Sequence, residues 1–226
     1  MSALKMMPQS PSSLQTFLTC PRQYFAKYIA KSVVFKGNKH TELGSKVHKF
    51  FEDYLNGAVS NLPPELSKAK LCLDNFKKYF YGAEVKVAIT KENKITDWFS
   101  EDAYQRCIVD ALLTNKDQSV IVAIDWKTGK KRDNQTQHDF IKKCLGVMFP
   151  RAKLIKTVFV YMVAGELTIQ DYEPLTSSLQ DLDETMKELE TAYQEGLFNP
   201  KTSGLCNGWC EVSNCIYNKT KGVKNA

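Results

Sequence analysis

Apolar positions along the chain fall into blocks whose period switches from helical to extended and back. From Ser12 onward Leu14, Phe17, Leu18, Phe25 and Tyr28 recur at helical spacing, and Ser12 with Gln15 three positions on has the composition of a capping box, so a helix is predicted to open there. Pro21 lies inside that pattern and cannot donate a backbone hydrogen bond, which predicts a kink or break just after Cys20. A second amphipathic helix is predicted over 41–55, with Leu43, Val47, Phe50, Phe51 and Tyr54 as its stripe. A short helix over 68–80 follows the loop that carries Pro63 and Pro64. Residues 81–90 alternate enough to form a strand, and 91–100 are too polar to assign.

The segments 106–113 and 119–125, rich in Val and Ile, flank Thr-Asn-Lys-Asp-Gln and predict a β-hairpin. A helix over 135–149 is stopped by Pro150, and a second hairpin is predicted from 152–164 and 165–172, turning at Ala164, Gly165 and Glu166. Leu175, Leu179, Leu182, Met186, Leu189 and Tyr193 step by three and four along a last helix that Gly196 ends, with an acidic outer face. This order of elements predicts an α/β fold, a central mixed sheet flanked by helices.

Composition narrows the class. A chain of 226 residues, 25% charged and 43% hydrophobic, fits one large domain or one with a small appendage. The start of the chain lacks the apolar stretch of a signal peptide and no run approaches membrane-spanning length. The expectation is therefore a reducing cytoplasm, the host's in the case of a viral protein, with no membrane association. Seven cysteines suit buried, catalytic or metal-bound thiols there better than a disulfide framework. A net charge of +6 permits a polyanionic partner without requiring one.

Candidate chemistry concentrates in the first hairpin. Asp110 and Asp125 each sit in an otherwise apolar strand, where an ionised carboxylate needs a cation to offset its desolvation, so the pair predicts a divalent ion between them. Lys127, two residues beyond Asp125, projects to the same side. Asp110 followed by Asp125-Trp126-Lys127-Thr-Gly-Lys resembles the metal-binding hairpin of the PD-(D/E)XK nuclease superfamily, and is most similar to its RecB-like members, including the CRISPR-associated RecB-like exonucleases. Gly44-Ser45-Lys46-Val47-His48 resembles the motif whose histidine ligates the metal, and Gln137 stands in register with a Gln-x-x-x-Tyr helix whose tyrosine is here Ile141. The resemblance implies a restriction-endonuclease-like core and Mg²⁺ or Mn²⁺ held by His48, Asp110, Asp125 and the carbonyl of Trp126. It gives Lys127 the task of orienting the attacking water or stabilising the pentavalent oxyanion, and Gln137 that of positioning substrate or water. Glu84 is either a further site acid, as similar nucleases often place one on the preceding strand, or a solvated charge. Lys130, Lys131 and Arg132 form a basic turn suited to a phosphate backbone.

Cys206, Cys210 and Cys215 lie within ten residues in a loop rich in Gly and Asn, and three such thiols are poised as metal ligands. Cys20, beside its proline break, is the candidate fourth. One upstream and three C-terminal cysteines resemble the iron-sulfur staple of RecB-like nucleases, which implies a 4Fe-4S cluster tying the termini to the fold; Zn²⁺ in the same thiolates is the structural alternative. Cys72, Cys107 and Cys144 sit in apolar contexts and are expected in the core.

The resemblance thus predicts a single nuclease domain over 1–226, with a nuclease core at 41–172 and a staple region from 12–31 and 196–218. The implied function is metal-dependent hydrolysis of DNA, as an exonuclease on single strands or frayed ends. A non-catalytic nucleic-acid-binding subunit on the same fold and a zinc-binding interaction module are the rivals. Self-association and partners in replication or recombination are left open.

Overall fold

The computed structural model describes residues 4–33, 39–131, 135–163, 166–172 and 178–219. Arg132, Leu175 and the expected turn at Ala164 and Gly165 lie outside them. The helices are α1 (Pro11–Thr19), α2 (Pro21–Tyr24), α3 (Lys39–Leu55), α4 (Lys70–Lys77), α5 (Gln135–Met148) and α6 (Ser178–Glu195). The strands are β1 (Phe80–Ile89), β2 (Ile95–Thr96), β3 (Gln105–Thr114), β4 (Val120–Lys127), β5 (Leu154–Val163) and β6 (Glu166–Tyr172). The chain divides into two compact units, one of residues 37–179 and one of residues 1–36 with 180–226.

In the first of these units six strands form one sheet in the order β2-β1-β3-β4-β5-β6. The pair β4 and β5 is parallel and the others are antiparallel, so the sheet is mixed, as expected. One strand more is present than the sequence predicts. Ile95 and Thr96 pair with Ile89 and Ala88 across a turn where Asn93 takes the left-handed conformation (φ 55°), and two paired residues are too few for periodicity to reveal. Val47, Phe51 and Tyr54 of α3 pack with Leu73 of α4 onto Ala111, Leu113, Ile124, Trp126, Val158 and Val160. Each large side chain so buried contributes roughly 1.5–3 kcal/mol. The α3 stripe is narrower than predicted: Leu43 and Phe50 are 56% and 38% exposed. The short helix is also shorter, because a 3₁₀ turn (Pro64–Ala69) precedes α4 and Phe80 instead opens β1 opposite Leu113.

In the other unit, the cap of α1 lies two residues earlier than predicted. Ser10, not Ser12, is the N-cap: its hydroxyl accepts the Ser13 amide at 3.2 Å and the Ser13 hydroxyl accepts the Ser10 amide at 2.8 Å. Pro11, pre-set for the first helical position, favours this start. The predicted break is present, since Cys20 is extended (φ −165°, ψ 110°) between α1 and α2. Tyr24, Tyr193 and Phe198 then build an aromatic core in which the Tyr24 hydroxyl meets Gln9 and the Tyr193 hydroxyl at 3.0 Å each. Burial, reinforced by the Tyr193 hydroxyl, pushes the Tyr24 phenol well above its ordinary range.

Candidate active site

The site lies where the sheet comes apart. β3 and β4 are paired from Thr114 and Ile121 only as far as Ala111 and Ile124, so Asp110 and Asp125 stand just past the last paired residues. Asp110 fills the fork by accepting the Trp126 amide on Oδ2 at 2.8 Å, a bond the partner strand would otherwise supply. That bond turns the Trp126 carbonyl toward α3, where His48 Nε2 meets it at 2.9 Å. His48 Nδ1 lies 3.3 Å from Asp110 Oδ2.

Both ring nitrogens of His48 therefore face acceptors, which favours the doubly protonated ring. Burial pulls the His48 pKa down, but Asp110, with help from Asp125 and the Trp126 carbonyl, outweighs it and the net shift is upward. A metal entering here must displace a proton from the ring.

On the neighbouring strand, Ala83 pairs with Ala111 and Val85 with Val109, which sets Glu84 opposite Asp110. Glu84 takes a left-handed backbone (φ 51°), a costly conformation for a residue other than glycine and one that tends to occur at functional sites. Ligand atoms of His48, Glu84 and Asp110 all lie within 4.8 Å of one another. One imidazole nitrogen and two carboxylates are a donor set suited to Mn²⁺ or Mg²⁺. Burial and the Asp110 and Glu52 charges raise the Glu84 pKa, as expected for acids crowded together. Glu84, which the sequence left between a site acid and a solvated charge, thus stands among the convergent groups.

Asp125 belongs to a second cluster beside the first. Its Oδ2 is 2.6 Å from Lys127 Nζ, Gln137 donates its Nε2 to Asp125 Oδ1, and Lys127 Nζ donates to Gln137 Oε1 at 2.9 Å. Burial pushes the Asp125 carboxyl up to about 6, with Asp110 adding and Lys127 and His48 opposing. Gln137 sits on the first turn of α5, while Ile141, one turn on, is buried and offers no hydroxyl. Lys130 and Lys131 are exposed beyond the end of β4.

An open groove of about 530 Å³ adjoins the acids, lined by Thr41, Gly44, Ser45, His48, Lys49, Glu52 and Glu84. Gly44 matters for its missing side chain: a Cβ there would lie 3.2 Å from Thr128 Oγ1, so α3 and the end of β4 approach as closely as they do only because position 44 is glycine. The contact with Thr128 gives a physical reason for the glycine that opens the Gly44–His48 motif.

In the other unit Cys20, Cys206, Cys210 and Cys215 line one cavity with Arg22, Lys201, Val212 and Tyr217. The Lys201 amide donates to Cys20 Sγ at 3.4 Å. Burial raises the Cys210 pKa, the Val212 backbone opposes, and the nearby Cys206, Cys215 and Cys20 thiols add to it. Such a group of thiols ionises together only around a cation. Among the described residues, no three of these sulfurs lie within 4.8 Å of one another. Cys107 and Cys144 are buried, as expected of core residues, and Cys72 is half-buried.

An imidazole, paired acids and a lysine at the opened end of a mixed sheet are the equipment of a metal-dependent nuclease. The chain belongs to the PD-(D/E)XK nuclease superfamily, whose sequence profile it matches over residues 8–215. Among solved structures it is similar to the protein SSO0001, at 18% identity and a TM-score of 0.51 over 93% of this chain and 86% of that one. It is also similar to a protein of Eubacterium rectale named as a candidate exonuclease, at 13% identity and a TM-score of 0.54 over 97% of this chain and 90% of that one. At such identities these likenesses speak for the fold. No curated protein matches the chain in sequence. Among the described residues no helix is long and apolar enough to cross a membrane.

Proposed function

We propose that the protein is a DNA exonuclease, dependent on Mg²⁺ or Mn²⁺, acting on single strands or frayed ends. The observation that carries the reading is the convergence of His48, Glu84 and Asp110 beside the Asp125, Lys127 and Gln137 cluster. The metal would be held by His48, Asp110 and Glu84, with Asp125 and the Trp126 carbonyl at its edge. When bound it lowers the pKa of a coordinated water and neutralises charge on the scissile phosphate. The protein's own groups do the rest. Asp125 and Gln137 fix the Lys127 ammonium from two sides, so its charge is already in place for the negative charge that builds on the phosphorus oxygens. Gln137, anchored to both residues, orients the attacking water or the substrate. Lys130, Lys131 and Arg132 are the proposed phosphate-backbone contacts.

The exonuclease reading draws on the named Eubacterium rectale neighbour, and the choice of DNA on the RecB-like hairpin. We assign residues 41–172 as the nuclease core, and 12–31 with 196–218 as a staple closed by a 4Fe-4S cluster on Cys20, Cys206, Cys210 and Cys215. The choice of an iron-sulfur cluster draws on the resemblance of one upstream and three C-terminal cysteines to the RecB-like staple, and Zn²⁺ in the same thiolates is the alternative.

Incubation of the purified protein with end-labelled single- and double-stranded DNA, with and without Mn²⁺, tests the activity. Mononucleotide release from single strands only when Mn²⁺ is present is the expected result, and no cleavage of either substrate overturns it. An absorbance band at roughly 400 nm tests the cluster, because zinc thiolates are colourless there.

A further inference from the structure

Beyond the acids, the strands that carry Glu84 and Asp110 continue into an open face. Lys86 pairs with Ile108 and Ala88 with Arg106. Lys86 and Ile108 are exposed while Val87, Cys107 and Val109 are buried, so Lys86 and Ile108 face solvent; Arg106 lies on the same face, half-buried, with Ala88 opposite it buried and its guanidinium donating to the Ser100 carbonyl at 3.5 Å. Trp98 lies against this face, with Lys86 Nζ 5.8 Å and Arg106 Cζ 5.6 Å from its ring centre. Phe99, next to it, is 86% exposed.

This pair of rings is built into a held turn. The Ser100 amide bonds the Asp97 carbonyl at 3.0 Å, which closes a tight turn with Trp98 and Phe99 at its corners. Asp102 then locks the turn by accepting from Thr96 at 2.8 Å and from Ser100 at 2.5 Å. A fixed turn that presents a large aromatic side chain almost wholly to water is not a core device. Its indole face is flanked by two cations at the sheet surface. Asp97, Glu101 and Asp102 lie in the same loop, so the loop has no general positive field, and its cations are the local pair beside Trp98.

We propose that the β1 and β3 face from Lys86 and Ile108 to Trp98 and Phe99 is a track for single-stranded nucleic acid, holding the part of the substrate that flanks the scissile phosphate. Bases stack on Phe99 and Trp98, and Lys86 and Arg106 follow the phosphates. Stacking on aromatic side chains combined with basic groups is how proteins hold single strands without reading sequence. Four residues of strand separate Asp110 from Arg106, roughly 14 Å at ~3.4 Å per residue, which spans about four nucleotides at stacked spacing. The track rests on the nuclease reading for its direction toward the acids, and its test is separable from it.

Binding of a fluorescent thymidine dodecamer, followed by anisotropy in buffer lacking divalent metal, measures the track without cleavage. Phe99→Ala is expected to weaken binding about tenfold, within the range measured for loss of one stacked base. Phe99→Trp should restore it, and Lys86→Ala should lower the salt dependence by about one phosphate contact. With Mn²⁺ present, the KM for the dodecamer should rise in Phe99→Ala in step with the lost affinity. If Phe99→Ala binds both this dodecamer and its uridine counterpart as the parent does, or if the parent binds neither strand, the track is refuted. If binding falls as expected but no variant and no parent cleaves with Mn²⁺, the track stands and the nuclease reading fails. A uridine dodecamer in parallel identifies the strand: equal weakening on both supports a track indifferent to the sugar, and weakening on one alone names RNA or DNA as its occupant.

Discussion

The two candidate metal sites differ in what holds them together. Around Asp110 the ligands are fixed before any ion arrives: strand pairing places Glu84, the Trp126 amide binds Asp110, and the Trp126 carbonyl meets His48. Around Cys20 the thiols sit on loop segments and a four-residue 3₁₀ turn (Gly204–Asn207), held by short-range backbone bonds such as Cys206 N–H to Ser203 O at 3.0 Å and Cys215 N–H to Val212 O at 3.2 Å, with the Lys201 amide on Cys20 and Asn218 on the Cys210 carbonyl at 3.0 Å. One site is organised by pairing between distant strands, the other by turns within short segments, so the proposed cluster would contribute more to the order of the second. Loss of a ligand should therefore abolish chemistry in the first and structure in the second.

The largest effect is expected at the preorganised site. Asp110→Asn or Lys127→Ala should lower cleavage by a hundredfold or more, at roughly 3 kcal/mol for a charge-stabilising group, while the melting temperature stays near that of the parent. Initial rates on end-labelled DNA with a melting curve on the same preparation check both halves. A variant that lost activity by unfolding would erase the contrast. Next in size, Cys210→Ser should empty the cysteine site and lower the melting temperature by roughly 10 °C, a shift that corresponds to about 3 kcal/mol in a chain of this size. Iron content and proteolysis of the C-terminal segment would follow together, with Mn²⁺ binding at His48 retained.

How much of this was legible in the sequence follows the same division. The hairpin carrying Asp110 and Asp125, the parallel or antiparallel mix of the sheet and the break after Cys20 show in periodicity and proline placement, because strand alternation and helix breaking act over a few residues. The Ser10 cap was misplaced by two residues because two serines compete and the deciding feature is Pro11. The exposure of Leu43 and Phe50 could not be read, since the stripe of a helix says which side is apolar and not how much of it a neighbour covers. Glu84 was undecidable for a related reason: its approach to His48 depends on register with β3 and on a left-handed backbone that a glutamate does not advertise. The Trp98 and Phe99 turn fell within a stretch too polar to assign.

A smaller effect tests whether preorganisation resides in a single contact. Gly44→Ala would place a Cβ 3.2 Å from Thr128 Oγ1, and α3 must then back away by a few tenths of an ångström and carry His48 with it. The misplacement should lower kcat about tenfold without changing the fold, a modest share of the hundredfold that a displacement near 1 Å can cost. Thr128→Ala removes the opposing oxygen, so the double variant should recover most of the rate. No comparable rescue is expected in the cysteine unit, where among the described residues Cys20 lies between two short helices and Cys206 on a 3₁₀ turn.

The smallest expected effect is one of pH on the core unit, which contains every histidine of the chain, at positions 40, 48 and 138. His138 is fully buried on α5, and burial lowers its pKa, with Asp139 opposing and Lys142 assisting. The folded state therefore favours the neutral ring. Its stabilising contribution is complete above the unfolded value of about 6.5 and is lost as pH falls from there through the folded pKa, since the unfolded chain takes up the proton first. His48, raised by Asp110 in the metal-free protein, runs the other way: its contribution is present below about 6.5 and lost as pH rises through its folded value. The two partly cancel in the parent. His138→Gln removes the first slope and leaves the second, so urea midpoints measured without metal between pH 5.5 and 7.5 should favour acid in the variant more than in the parent. Identical pH profiles would mean that His138 is not held neutral by its burial, and that the core around α5 is wetter than the packing of Phe140, Ile141 and Leu145 implies.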